Sequence, residues 1–284
     1  MSLNSTTSLF TERNTFTAGI EGPACDSHGN LYAVNFAKQG TIGVVTPEGV
    51  GYIFLELPEG SIGNGIRFDS HGHMLIADYT GHNVLKANMR TRKVTVLAHE
   101  PRMNQPNDIC ITEDDVVFAS DPNWETEKGQ VWRVDTDGKT TLVAEDMGTT
   151  NGIEVAPDEG TLYVNESVHR RIWAFDLKDG LLTNKRLLIE FPDHGLDGMR
   201  CDVEGRLYVT RYGKGTIVVL SPKGEILREI DLHGAKPSNL CFGGEDGCTV
   251  YVTLADQGNV ETFKVDVPGR EWVLNQRSQK GGWD

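Results

Sequence analysis

Residues 150–167 read TNGIEVAPDEGTLYVNES. Ile153 and Val155 alternate with their neighbours, Pro157, Asp158 and Gly160 supply a turn, and Leu162 to Val164 make a second run that ends on a polar pair. Alone, this stretch predicts a β-hairpin. Nearly the same sentence is written six times. It opens at Glu21, Asn64, Asn107, Asn151, Asp197 and Asn239, with successive openers 43, 43, 44, 46 and 42 residues apart. Two residues after the openers stand Pro23, Ile66, Ile109, Ile153, Met199 and Cys241, and two further on Cys25, Phe68, Ile111, Val155, Cys201 and Gly243. A period of two, held in register over the chain, signals strands.

A third strand follows each hairpin, as in GQVWRVD (129–135), RRIWAFD (170–176) and GTIVVLS (215–221), and a fourth follows that, as in YIFLEL and TLVAED. Four short strands per repeat, six times over, predict an all-β, six-bladed β-propeller forming one domain over residues 1–284. The last repeat shows three strands before Pro268, and residues 8–13 (SLFTER) resemble the missing fourth. The N-terminal segment is therefore expected to complete blade six and remove the open edges. The end of the chain, RSQKGGWD, reads as a loose tail.

Composition narrows the function classes. Hydrophobic residues make up 38% and charged residues 24% of 284, which describes a folded chain. A net charge of −14 disfavours nucleic acid or an anionic membrane as partner, since both select a basic face. No stretch is long enough to span a bilayer, and MSLNSTTSLF lacks the basic start and apolar core of a signal peptide. Four of five cysteines (Cys25, Cys110, Cys201 and Cys241) fall in strand-like runs, so reduced, buried thiols in a cytoplasmic protein are expected.

Propeller geometry gives the openers a common address. The first strand of each blade lines the central channel, so its first residue lies at one mouth. The second strand returns antiparallel, bringing Asn35, Asp78, Asp121, Glu166, Arg211 and Leu254 to the same mouth as an outer ring. Asn and Asp are also ordinary turn residues, and for Asn64 and Asn239 that reading stands beside a functional one. Turn chemistry does not explain Glu21 in the first position. Two carboxylates and two or three amide oxygens converging without His or Cys make a Ca²⁺-type ligand set. Zn²⁺ prefers nitrogen and sulfur, and Mg²⁺ demands a tighter octahedron; these and Mn²⁺ remain alternatives.

The stretches IEGPACD, QPNDICI, TNGIEVAPD and LDGMRCDVEGRLYVTR closely resemble the blade-opening motifs of the senescence marker protein/gluconolactonase/luciferin-regenerating enzyme family, over roughly residues 8 to 266. The resemblance implies a six-bladed propeller with a divalent metal at the channel mouth, and hydrolysis of a sugar lactone or related small cyclic ester. It implies Glu21, Asn151 and Asp197 as metal ligands, Asn107 as ligand or substrate contact, and Asp197 as general base. A substrate carbonyl would take an open calcium position while Asp197 accepts the proton of the attacking water. Vertebrate-type sugar lactonases carry an arginine where this chain has Gln105, which departs from their mode of aldonolactone binding. Arg211 is then either a substitute cation or a partner of Glu166 or Asp121, and Asp121 either binds substrate hydroxyls or caps the Pro122 turn. Asn64, Gln105, Asp121, Glu166 and Arg211 complete the candidate substrate-binding set. Phosphotriester or other ester hydrolysis, and a non-catalytic metabolite- or metal-binding propeller, are the competing readings. Fold alone does not choose among them.

Overall fold

The alternating runs form six four-stranded antiparallel sheets in a computed structural model that describes residues 6–279. The inner strands of the blades are Phe16–Cys25, Gly63–Phe68, Ile109–Ile111, Thr150–Val155, Gly195–Cys201 and Pro237–Gly243. Each packs against the inner strands of its two neighbours, closing a ring around a central channel. Six apolar clusters fill the six junctions between adjacent blades. Alternation explains this placement: both faces of a blade meet another blade, so both must be apolar. The outermost strands, such as Leu181–Glu190, carry the exposed residues.

Blade six closes as the sequence predicts, though by a shorter strand. Only Ser8–Leu9 pairs with Asn259–Lys264, through Ser8 opposite Thr262 and Leu9 opposite Glu261. Beyond Leu9 the chain leaves the ladder, because Phe10 turns in to stack edge-on against Tyr251 at 4.9 Å. The N–H groups of Phe10 and Thr11 both reach the Val260 carbonyl, and the Thr11 hydroxyl accepts from the Val260 N–H. Deleting residues 1–14 is therefore expected to bare the edge of the Asn259–Lys264 strand and remove the Phe10 anchor. Aggregation or a clear fall in Tm should follow, and a truncated monomer of unchanged stability would refute this account of closure.

The far mouth is closed by a feature absent from the repeat. A helix, Arg270–Asn275, lies across the ends of the inner strands, and Gln276–Gln279 continue it as a 3₁₀ turn, so residues 277–279 of the expected tail are helical. Arg270 donates to the Ile111 carbonyl, Glu271 accepts the Phe242 N–H, and Asn275 donates to the Cys25 carbonyl. Residues 280–284 lie outside the described residues.

The channel between helix and open mouth is packed with charge. Arg200 and Asp108, both fully buried, meet at 2.9 Å, and Arg67 lies 3.7 Å from Asp108 and 3.9 Å from both Glu154 and Glu271. Arg67, Glu154 and Arg200 occupy the third position after their blade's opener. These cross-channel pairs replace the apolar plug that an all-β ring would otherwise need, and they seal its lower half.

Candidate active site

The inner strands must approach closely to bring six openers together. Gly22, Gly65, Gly152 and Gly198 follow their openers directly. A Cβ on Gly22 would lie 1.9 Å from the Asn64 carbonyl oxygen, and one on Gly152 would lie 2.4 Å from that of Asp197. Gly22 also takes a positive φ of 59°, which other residues adopt at a cost. Register breaks at or beside the opener in blades one, two, four, five and six, a bulge that re-aims the opener side chain out of regular alternation.

Five of the six openers, Glu21, Asn64, Asn107, Asn151 and Asp197, line one cleft of about 340 Å³. The sixth, Asn239, lies beneath it, fully buried. Its amide donates to Glu21 at 2.9 Å and to Asp108 at 3.3 Å, so it orients Glu21. Glu21 also accepts the Gly22 N–H on the same carboxylate oxygen, Oε2. Asn64 donates to the Asn107 side-chain oxygen at 3.0 Å. Asn151 donates to Ser167 at 2.9 Å, which leaves its own oxygen buried with no hydrogen-bond partner.

The electrostatics are those of concentrated negative charge. Burial, then the nearby Asp108 carboxylate, pushes the Glu21 carboxyl up to about 7. Burial, then Glu21, holds the Asp197 carboxyl well above the usual carboxylate range. Among the described residues no three His, Cys, Asp and Glu side chains converge as a ready metal cage. The donors here are instead two carboxylates and amide oxygens, all hard, with the unpartnered Asn151 oxygen among them. That donor set fits a hard divalent cation such as Ca²⁺ and fits Zn²⁺ poorly.

The outer ring does something other than line the cleft. Asp121 is fully buried and accepts the N–H groups of Asn104 and Gln105, with the Trp132 indole as a third donor. Glu166 accepts from the Gly148 N–H and the Trp173 indole. Asp78 accepts from Ser61, Ile62, Gly81 and Asn83, and Asn35 bridges Gly19 and Gly40. Arg211 donates to the Asp193 carbonyl and carboxylate and lies 4.0 Å from the Phe191 ring centre. Each clamps the incoming loop between blades. In blade six, where Leu254 cannot, Asp256 accepts the N–H groups of Ala235 and Lys236 instead.

Asp121, Glu166 and Arg211, expected as substrate contacts, make these bonds within the scaffold. None lines the cleft, and Arg211 pairs with Asp193 rather than with Glu166 or Asp121. Gln105 is also absent from the lining, its backbone held by Asp121 two residues before Asn107. The physical reason is alternation: adjacent strand residues point to opposite sides. The residues immediately after the clamps, Tyr79, Ser167 and Tyr212, face the cleft, joined by Trp124 from the loop after Asp121.

Residues 20–256 match the model of the SMP-30/gluconolactonase/LRE-like region. The chain belongs to this family. It is 29% identical over 272 residues to a gluconolactonase of Zymomonas mobilis, covering 83% of this chain and 76% of that one. It is 31% identical over 153 residues to the pentonolactonase XacC of Haloferax volcanii, covering 52% of this chain and 53% of the relative. A solved structure of a calcium-binding protein, regucalcin, from Agrobacterium tumefaciens superposes with a TM-score of 0.82 at 21% identity, covering 93% and 95% of the two chains. The structural likeness shows a shared propeller. What this family member does is argued from its own cleft.

Asp108 escaped the sequence reading although a signal was present. It breaks the run of glycines that follow the openers, standing where Gly22, Gly65, Gly152 and Gly198 stand. Its partner Arg200, with Arg67 and Glu154, was visible as charge in the interior of otherwise apolar strands. Buried charges are paired, so three such positions call for one another.

Proposed function

We infer that this protein is a metal-dependent lactonase, opening a small cyclic ester in the cleft at the channel mouth. The observation that carries the reading is the buried Asn151 oxygen without a hydrogen-bond partner, on a residue that lines one open cleft with the carboxylates Glu21 and Asp197. In a cleft open to solvent and lined by two carboxylates, an unpartnered amide oxygen is an acceptor free for a bound group. The family and its gluconolactonase and pentonolactonase relatives support the substrate class.

Glu21, Asn151 and Asp197 would hold the cation, with Asn107 as a fourth donor or a substrate contact. When bound, a hard divalent cation supplies polarisation of the lactone carbonyl and stabilises the charge that develops on its oxygen. Asn239 and the Gly22 N–H fix the Glu21 carboxylate, and Asn64 fixes the Asn107 amide, so the donors are preorganised. Asp197 lines the cleft, and with a cation offsetting the Glu21 charge that raises its carboxyl it would be ionised and take a proton from water as the water oxygen bonds to the acyl carbon. The ring C–O bond then breaks and the departing oxygen takes that proton, giving a hydroxy acid. No nucleophilic side chain is required.

A lactone panel with pH-indicator readout tests this, run on protein stripped with a chelator and again with calcium restored. Hydrolysis lost on stripping and regained with calcium is the expected result; no hydrolysis of any lactone at any calcium level would overturn the reading. Glu21→Gln, which removes one of two cleft carboxylates, should weaken calcium binding by calorimetry at least tenfold. Unchanged affinity would place the metal elsewhere.

A further inference from the structure

The walls of the cleft differ in character from its floor. The floor carries the carboxylates and amides. The walls carry Tyr79 and Trp124, from the connections between second and third strands of blades two and three, and Tyr212, the last residue of the second strand of blade five, with Leu196 beside them. Trp124 is 41% exposed, a large aromatic surface left open beside the cleft and not packed into the core. Glu21 and Asp197 are the charged groups of the lining; among the described residues it holds no Lys, Arg or His. The nearby cation, Arg211, is 2% exposed and committed to Asp193.

We propose that the cleft selects a neutral lactone bearing an apolar or aromatic substituent, gripped by Tyr79, Trp124 and Tyr212, over polyhydroxylated or anionic sugar lactones. This rests on the lactonase reading and adds its substrate class. Three aromatic faces offer a large contact area and only two phenol hydroxyls and one indole N–H for hydrogen bonding. The amides, Ser167 and carboxylates of the floor serve the lactone ring, whereas a polyhydroxylated substituent held between the aromatic walls loses water from hydroxyls that find few partners there, which costs affinity. A phosphate or sulfonate on the substituent would lie among aromatic side chains with no Lys, Arg or His to pair it, which costs more. An apolar substituent loses nothing on entry and gains burial.

The test compares three probes on calcium-loaded protein: a phenyl-substituted δ-lactone, glucono-δ-lactone, and a sulfonated glucono-lactone. The phenyl lactone is expected to give kcat/KM at least tenfold above glucono-δ-lactone, with the sulfonated compound lowest. Trp124→Ala should lower kcat/KM for the phenyl lactone about tenfold, mainly through KM, while changing that for glucono-δ-lactone less than threefold. Equal or better turnover of glucono-δ-lactone, or equal loss on both substrates, overturns the selectivity while leaving lactonase activity standing. Binding of the unreactive phenyl-substituted lactam, followed by quenching of tryptophan fluorescence, reads the walls without any turnover. Quenching that is lost in Trp124→Phe is expected and places the substituent against the aromatic wall, and tight binding of the lactam with no change at Trp124 overturns the proposal whatever the turnover.

Discussion

Asp197→Asn is expected to lower turnover by roughly 10²–10⁴-fold, the range typical of losing a general base, while calcium affinity falls only moderately. The substitution keeps the size of the side chain and one coordinating oxygen, and it removes a negative charge and a proton acceptor together. Asn151→Ala is the contrast. It deletes the unpartnered amide oxygen, a neutral donor, so excess calcium should restore part of its activity. Saturating calcium should not restore Asp197→Asn, because what is lost is proton transfer and not occupancy. Full recovery at saturating calcium would make Asp197 a ligand alone. Turnover independent of both residues would reduce the cation to a staple between blades and end the lactonase reading.

Arg200→Met should be the most destabilising single change in the channel. The Arg200 guanidinium is fully buried, donating to Asp108 at 2.9 Å and to the Met199 carbonyl at 2.7 Å. Its removal leaves the buried Asp108 carboxylate with Arg67, at 3.7 Å, as its remaining cation, and losing one partner of a buried pair costs about 3–5 kcal/mol. At about 2–4 °C per kcal/mol for domains of this order, Tm should fall by roughly 10 °C. The double variant Asp108→Asn/Arg200→Met carries neither charge and should recover much of that loss. Its recovery separates uncompensated charge from lost packing, since both variants lack the guanidinium. A single variant with unchanged Tm would show that the cluster contributes nothing to stability. Calcium affinity should also weaken in Arg200→Met, because Asp108 contacts the Asn239 amide that holds Glu21.

The repeat alone determined the architecture. A period of two within strands and of about 43 residues between them has one economical solution, since each blade needs neighbours on both faces to bury its apolar residues. It also placed Glu21, Asn64, Asn107, Asn151 and Asp197 at one mouth, because the first residue of every inner strand reaches the same end of the ring. Tertiary structure decided which neighbours of those residues matter. At the ends of the second strands of blades two, four and five, Tyr79, Ser167 and Tyr212 line the cleft while the adjacent Asp78, Glu166 and Arg211 do not: a strand end gives two adjacent residues, and only packing says which faces the axis. Trp124 and Tyr79 lie in connections without periodicity, so no pattern announces where they point. Asp108, Arg200, Arg67 and Glu154 belong to four different blades, and only ring closure brings them within reach of one another. Periodic contacts are written along the chain and can be read there. Contacts across the axis exist only once the six blades have met, because charges far apart in sequence share a dry channel that the unfolded chain does not possess.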